Sequence, residues 1–107
     1  MSNGYIIGLF KFHDLDDFNN FRDEFSLVVA KLIEKSGGRF LSRTPDCEFL
    51  EGREYNFHVV VEFADYDKAK ALMGTPTWDE LQHIRRGFID SKESSFMLVK
   101  GGDILSK

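Results

Sequence analysis

The sequence predicts an α+β sandwich: a four-stranded antiparallel sheet with its helical segments on one face, in the chain order βαββαβ. Three observations predict it. Residues 57–63, Phe-His-Val-Val-Val-Glu-Phe, alternate so that one side of an extended segment is wholly apolar. Residues 15–36 carry apolar side chains at spacings of three and four over about six turns, as a helix packed along its length requires. The chain has 107 residues, enough for one domain, residues 1–107, with a real core and too few for two.

Each element has a local cause. Residues 5–12 are a nearly unbroken apolar and aromatic run that starts after Gly4 and stops at an acidic cluster, the length of a first strand. Asp14 is a good N-cap, and Asp16 and Asp17 fall in a first turn where the helix dipole favours negative charge. In the helix that follows, Leu15, Phe18, Phe21, Phe25, Val28, Val29, Leu32 and Ile33 make the buried stripe; Asn19, Arg22, Asp23, Lys31 and Glu34 make the wet one. Ser36-Gly37-Gly38 closes it, because glycine adopts the left-handed conformation that ends a helix. Residues 39–42 and 47–51 read as two pieces of one irregular second strand, with a turn or bulge at Pro45. A turn at 52–55 leads to the third strand, 57–63. Residues 64–74 place Ala69, Leu72 and Met73 at helical spacing behind Asp65 and Asp67, and Thr75-Pro76 restarts a helix whose stripe is Trp78, Leu81, Ile84 and Phe88. Residues 94–100, before Gly101-Gly102, form the last strand. Short unknotted connections then give the strand order fourth, first, third, second, which is ferredoxin-like and makes strands one and three central.

Composition narrows the function classes. Fourteen basic against 18 acidic residues leave a net charge of −4, no footprint for a phosphate backbone, so nucleic acid is not an expected partner. No apolar stretch approaches the roughly 20 residues that span a bilayer, so no membrane is expected either. Cys47 is the single cysteine and no basic, apolar leader opens the chain, which points to a reducing cytoplasm. Gly37-Gly38 runs from helix into strand and Gly101-Gly102 closes the domain, so neither cradles a nucleotide, and no bound cofactor is expected.

The face of the sheet covered by helices should be the uniformly apolar one, with Ile6, Phe10, Phe12, Phe57, Val59, Val61 and Phe63. The other then carries Ile7, Leu9, Lys11 and His13 from strand one and His58, Val60 and Glu62 from strand three. Its apolar part is larger than a soluble monomer usually leaves wet, and a second copy packed by a twofold axis would cover it, so a homodimer is expected. The expected pairing sets Leu9 beside Glu62, Lys11 beside Val60 and His13 beside His58, with Lys11 and Glu62 diagonal neighbours.

Several segments resemble a known family: Gly37-Gly38-Arg39-Phe40-Leu41, Phe49-Leu50-Glu51-Gly52, Val60-Val61-Glu62-Phe63, Thr75-Pro76-Thr77-Trp78 with Leu81 and Arg85, and Leu98-Val99-Lys100-Gly101. Together they are similar to domain-of-unknown-function family 1330, of the dimeric α/β-barrel superfamily. The resemblance implies a ferredoxin-like subunit and a dimer built through the open sheet face. It implies no catalytic residues.

His13, His58, Glu62 and Arg39 are the ligand-pocket candidates. On an interface-facing surface an imidazole or carboxylate can act as acid or base, and a hydrogen-bonded cluster that fixes dimer register is the structural alternative. His58 and Glu62, four residues apart on a strand, stand about 13 Å apart, too far to share one metal ion, and no metal is expected. Arg39, Arg43, Arg85 and Arg86 offer guanidinium forks for a carboxylate ligand, against their ordinary use in ion pairs with the 18 acids. His83 is expected on an exposed helix face. The expected function is a homodimeric binder of a small anionic or aromatic molecule, or a cofactor-independent enzyme; the alternative is a non-catalytic structural or regulatory module.

Overall fold

The computed structural model describes residues 2–106. Strands β1 (Gly4–Phe10), β2 (Gly38–Thr44), β3 (Phe57–Phe63) and β4 (Ser95–Lys100) form one antiparallel sheet in the order β2-β3-β1-β4. Between β1 and β2 runs a continuous helical path: a 3-10 turn at Leu15–Asp17, α1 (Phe18–Phe21), a π turn at Arg22–Ser26 and α2 (Leu27–Lys35). Between β3 and β4 lie α3 (Tyr66–Met73) and α4 (Pro76–Phe88). This is the ferredoxin-like α+β sandwich the sequence predicts.

The starts of the helices are set as the sequence suggests. Asp14 and Asp65 accept from the backbone N–H two residues on, each at 2.9 Å, and Thr75 Oγ1 accepts from Trp78 N at 3.3 Å with Pro76 opening α4. Gly37, at φ +90°, ends α2 in the left-handed region.

The core lies between the helices and one face of the sheet, where Ile6, Phe10, Phe57, Val61 and Phe63 meet Phe21, Val29, Ile33, Leu72, Trp78 and Leu81. Phe21 is its centre: fully buried, its ring lies within 6.4 Å of those of Phe10, Phe12, Phe18, Phe25, Phe57 and Phe88. The Phe10 ring folds back over Gly8, where a Cβ would stand 2.7 Å from Phe10 Cζ, so any larger residue would force the ring to shift.

Four expectations need correction. The buried residues of α2 are Val29, Ala30 and Ile33, with Val28 exposed and Leu32 half-buried. The stripe has moved on by one residue, which is what a π turn upstream does by inserting one residue into the helical repeat. The second strand ends at Thr44, before Pro45; its bulge falls between Phe40 and Ser42, and residues 47–51 form no strand. On α4, Ile84 is exposed, while Gln82 and Arg85 are buried with Trp78 and Leu81. The pairing of β1 with β3 sets Tyr5 beside Glu62, Ile7 beside Val60 and Leu9 beside His58, four residues away from the expected register. An even slip leaves every side chain on its expected face. The observed register places Phe10 against Phe57 and Ile6 against Val61, and β1 cannot extend further along β3 because its exit is diverted: Ser94 Oγ accepts from Lys11 N (2.8 Å), Asn56 Oδ1 from Phe12 N (2.9 Å), and Phe88 O from His13 N (2.9 Å).

Candidate functional site

The sheet face away from the helices is built by alternation. Tyr5, Ile7 and Leu9 come from β1, Glu62, Val60 and His58 from β3, Val99, Met97 and Ser95 from β4, and Arg39, Ser42 and Thr44 from β2. Ile7 pairs with Val60 on one side and Met97 on the other, an apolar row across three strands, with Val99 beside Tyr5. Met97 and Val99 are exposed and Ile7, Leu9 and Val60 only half-buried, whereas the inward residues of β1 are all buried. Leu41, at the bulge, adds a further exposed apolar side chain.

Polar groups bracket this row. At one end Glu62 accepts from Arg39 Nη2 (2.8 Å), from the Tyr5 hydroxyl (3.0 Å) and from Asn3 Nδ2 (3.5 Å). The Arg39 and Tyr5 hydrogen bonds hold its carboxyl below the usual carboxylate range and outweigh the opposing effect of partial burial. Such a group stays ionised and is a weak base. Arg39 is 72% exposed and spends one Nη on Glu62, which leaves most of its fork toward solvent.

At the other end His58 Nδ1 lies 3.1 Å from Thr44 O, and the Phe49 ring stands 5.7 Å from the imidazole. A carbonyl only accepts, so Nδ1 donates, while Nε2 is buried and without a partner among the described residues. His13 joins neither end. It is exposed in the bend after β1, so the expected His13–His58 pair does not form. The structure thus brings Arg39 to Glu62 and keeps His58 and His13 apart from both. His83 is exposed, as is Cys47. Among the described residues no group of three His, Cys, Asp or Glu side chains is arranged to hold a metal ion.

On the opposite side, the core between sheet and helices encloses a cavity of only about 30 Å³, too small for an organic ligand. Next to it, at the seam of α4 and β4, Trp78 and Phe96 also wall a groove of about 170 Å³ that contains Arg85, Arg86 and Gln82. Arg85 has 5% of its surface exposed and Gln82 4%. The Arg85 guanidinium lies over the Phe96 ring (4.8 Å) and the Phe10 ring (5.5 Å), and its Nε donates to Gln82 Oε1 at 2.8 Å. Burial, with a smaller contribution from the neighbouring Arg86 charge, lowers its pKa to about 10, so it remains a cation at neutral pH. Reading Ile84 as the inward residue hid this pair, although Trp78, Gln82 and Arg85 are spaced by four and three along the helix and therefore share a face.

Comparison with curated proteins finds no match. Among solved structures, a protein of unknown function from Rhodopseudomonas palustris is similar over 95% of this chain and 84% of its own, with a TM-score of 0.71 and 12% identity. SnoaB, a cofactor-independent oxygenase from Streptomyces nogalater, is similar over the whole of both chains, with a TM-score of 0.67 and 14% identity. A dimeric protein of unknown function with a ferredoxin-like fold from Bacteroides fragilis matches over 92% of this chain and 96% of its own, with a TM-score of 0.53 and 19% identity. At such identities the likeness concerns the fold alone. The sequence itself is more specific: a domain of unknown function, DUF1330, matches residues 3–101, and the chain belongs to that family.

Proposed function

We propose that this chain works in the cytoplasm as a homodimer whose open sheet faces pack on each other, and that the dimer binds a small anionic or aromatic molecule. The observation that carries the reading is the row Ile7, Val60 and Met97, flanked by Leu9, Val99 and Leu41, on a face that the chain's own helices do not cover. A second copy supplies the same apolar surface and buries both. The dimeric ferredoxin-like protein of Bacteroides fragilis supports this occupant.

Four residues are the proposed ligand contacts. Arg39 offers the unused part of its fork to an anion, and His58 Nε2 offers a buried lone pair to a hydroxyl or N–H. Glu62 fixes Arg39, and His13 lies outside the sheet as an exposed accessory contact. A cofactor-independent reaction, like the activity named for SnoaB, is the catalytic form of this proposal. One observation favours a second reading for the polar cluster. With three donors on Glu62 and its pKa depressed, that carboxylate is suited to holding assembly register rather than to taking a proton.

A thermal-shift screen of small carboxylates and aromatics tests the binding part. A ligand at 100 times its Kd adds about 2.7 kcal/mol of stability. The reading expects at least one saturable hit that Arg39→Ala or His58→Gln weakens; a screen without any stabilising compound favours the non-catalytic module.

A further inference from the structure

We propose that the groove at the α4–β4 seam is a binding site for an aromatic monocarboxylate, with Arg85 and Gln82 as the groups that receive the carboxylate. It is separate from the four open-face ligand contacts, sharing only Met97 with that face, and it deepens the small-molecule part of the reading above.

The first argument is an uncompensated charge. An arginine with 5% exposure ordinarily has a carboxylate partner, because a buried cation without one costs several kcal/mol. Among the described residues the ion pairs are Arg22–Asp23, Arg39–Glu62 and Arg53–Glu93, and Arg85 is in none of them. No acidic side chain lines the groove, while Arg86 adds a second cation to its wall. In a chain of net charge −4, two arginines without an acid between them form a local site for an anion.

The second argument is an unused donor. Gln82 Oε1 takes the Arg85 Nε–H at 2.8 Å, which fixes the amide orientation, since the reverse would set two donors against each other. Its Nε2 is then buried without a partner among the described residues, as is rare for a polar atom in a native interior. Arg85 and Gln82 both line the groove. Together they match the two oxygens of a carboxylate better than a single point charge would.

The walls decide the rest of the ligand. Trp78 and Phe96 are stacked, with centroids 6.2 Å apart and planes at 15°, and Met97 completes an apolar side. A cavity of about 170 Å³ suits a single ring bearing one acid group and is small for a drug-sized molecule. Cation–π contact with Phe96 and Phe10 holds the guanidinium in place before the anion arrives, so little ordering is left to be done on binding.

Benzoate is the probe and benzamide its uncharged control, each titrated by calorimetry and by thermal shift against the full chain. The expected result is saturable benzoate binding, benzamide at least tenfold weaker, and a loss of tenfold or more in benzoate affinity in Arg85→Met and in Gln82→Leu. Should Arg85→Met fail to fold, Gln82→Leu carries the same comparison, and the Arg85 Nε–H resonance of the unaltered protein, shifting with benzoate and not with benzamide, gives an independent readout. No saturable response to benzoate, or an equal response to benzamide, overturns the proposal. Benzoate binding lost in Arg39→Ala or His58→Gln but kept in Gln82→Leu also overturns it, while leaving the open-face reading in place.

Discussion

Strand β3 turns Phe57, Val59, Val61 and Phe63 toward the helices and His58, Val60 and Glu62 away from them, so seven consecutive residues build two surfaces of different kinds. On the inner side every large side chain meets another, and six aromatic rings surround Phe21. On the outer side the centre is apolar and half-covered while the two ends carry polar groups, Glu62 with its donors and His58 with an Nε2 that has no partner among the described residues. A covered face is optimised for the stability of one chain. A face with an apolar centre and polar ends has the composition of an interface, in which the rim fixes orientation and the centre supplies the driving force.

Substitutions on the two faces should therefore fail in different ways. The largest effect is expected from Phe21→Ala, which empties the middle of the aromatic cluster and should lower the stability of the chain by about 3–5 kcal/mol in urea denaturation. Val60→Glu should leave the circular dichroism of the subunit unchanged and raise the dimer dissociation constant at least a hundredfold, about 2.7 kcal/mol, in sedimentation. A Val60→Glu protein that unfolds, or that still dimerises as tightly, would erase the distinction between the faces. Gly8→Ala forces a methyl group against the Phe10 ring and should cost about 1–3 kcal/mol of chain stability, with little change in assembly.

The smallest effect is expected at the rim. Tyr5→Phe removes one of the donors that keep Glu62 ionised and should lower the unfolding midpoint slightly at neutral pH. The sign with pH follows from the depressed folded-state pKa. The network contributes fully above the ordinary carboxylate pKa of 4.5 and fades as pH falls through the lower folded value, so Tyr5→Phe and the unaltered chain should converge in acid. A difference that widens in acid would contradict the assignment of Glu62 as the ionised hub.

The faces were legible in the sequence because strand alternation is short-ranged: Ile6, Phe10, Val61 and Phe63 point inward whatever register the strands adopt. Register was not legible, because it depends on where β1 stops, and that is decided by Ser94 and Asn56, residues distant in sequence whose side chains take the Lys11 and Phe12 N–H groups respectively. For the same reason Glu62 was visible as a candidate but Tyr5, its neighbour across the strands, was not. The one-residue shift of the α2 stripe, which exposes Val28 and buries Ala30, follows from a π turn that leaves no residue signature in Arg22–Ser26. Arg85 was visible as one of four arginines that could hold a carboxylate, but its burial was hidden by its type. An arginine at a helical position is expected to point to water, and only its spacing from Trp78 and Gln82 marks it as inward.

Sedimentation equilibrium of the purified chain at micromolar concentration tests the central claim most directly. A mass twice the 12.3 kDa of one chain, reduced to one by Val60→Glu, is the predicted result. A single 12.3 kDa species with Ile7, Val60 and Met97 in water would contradict it.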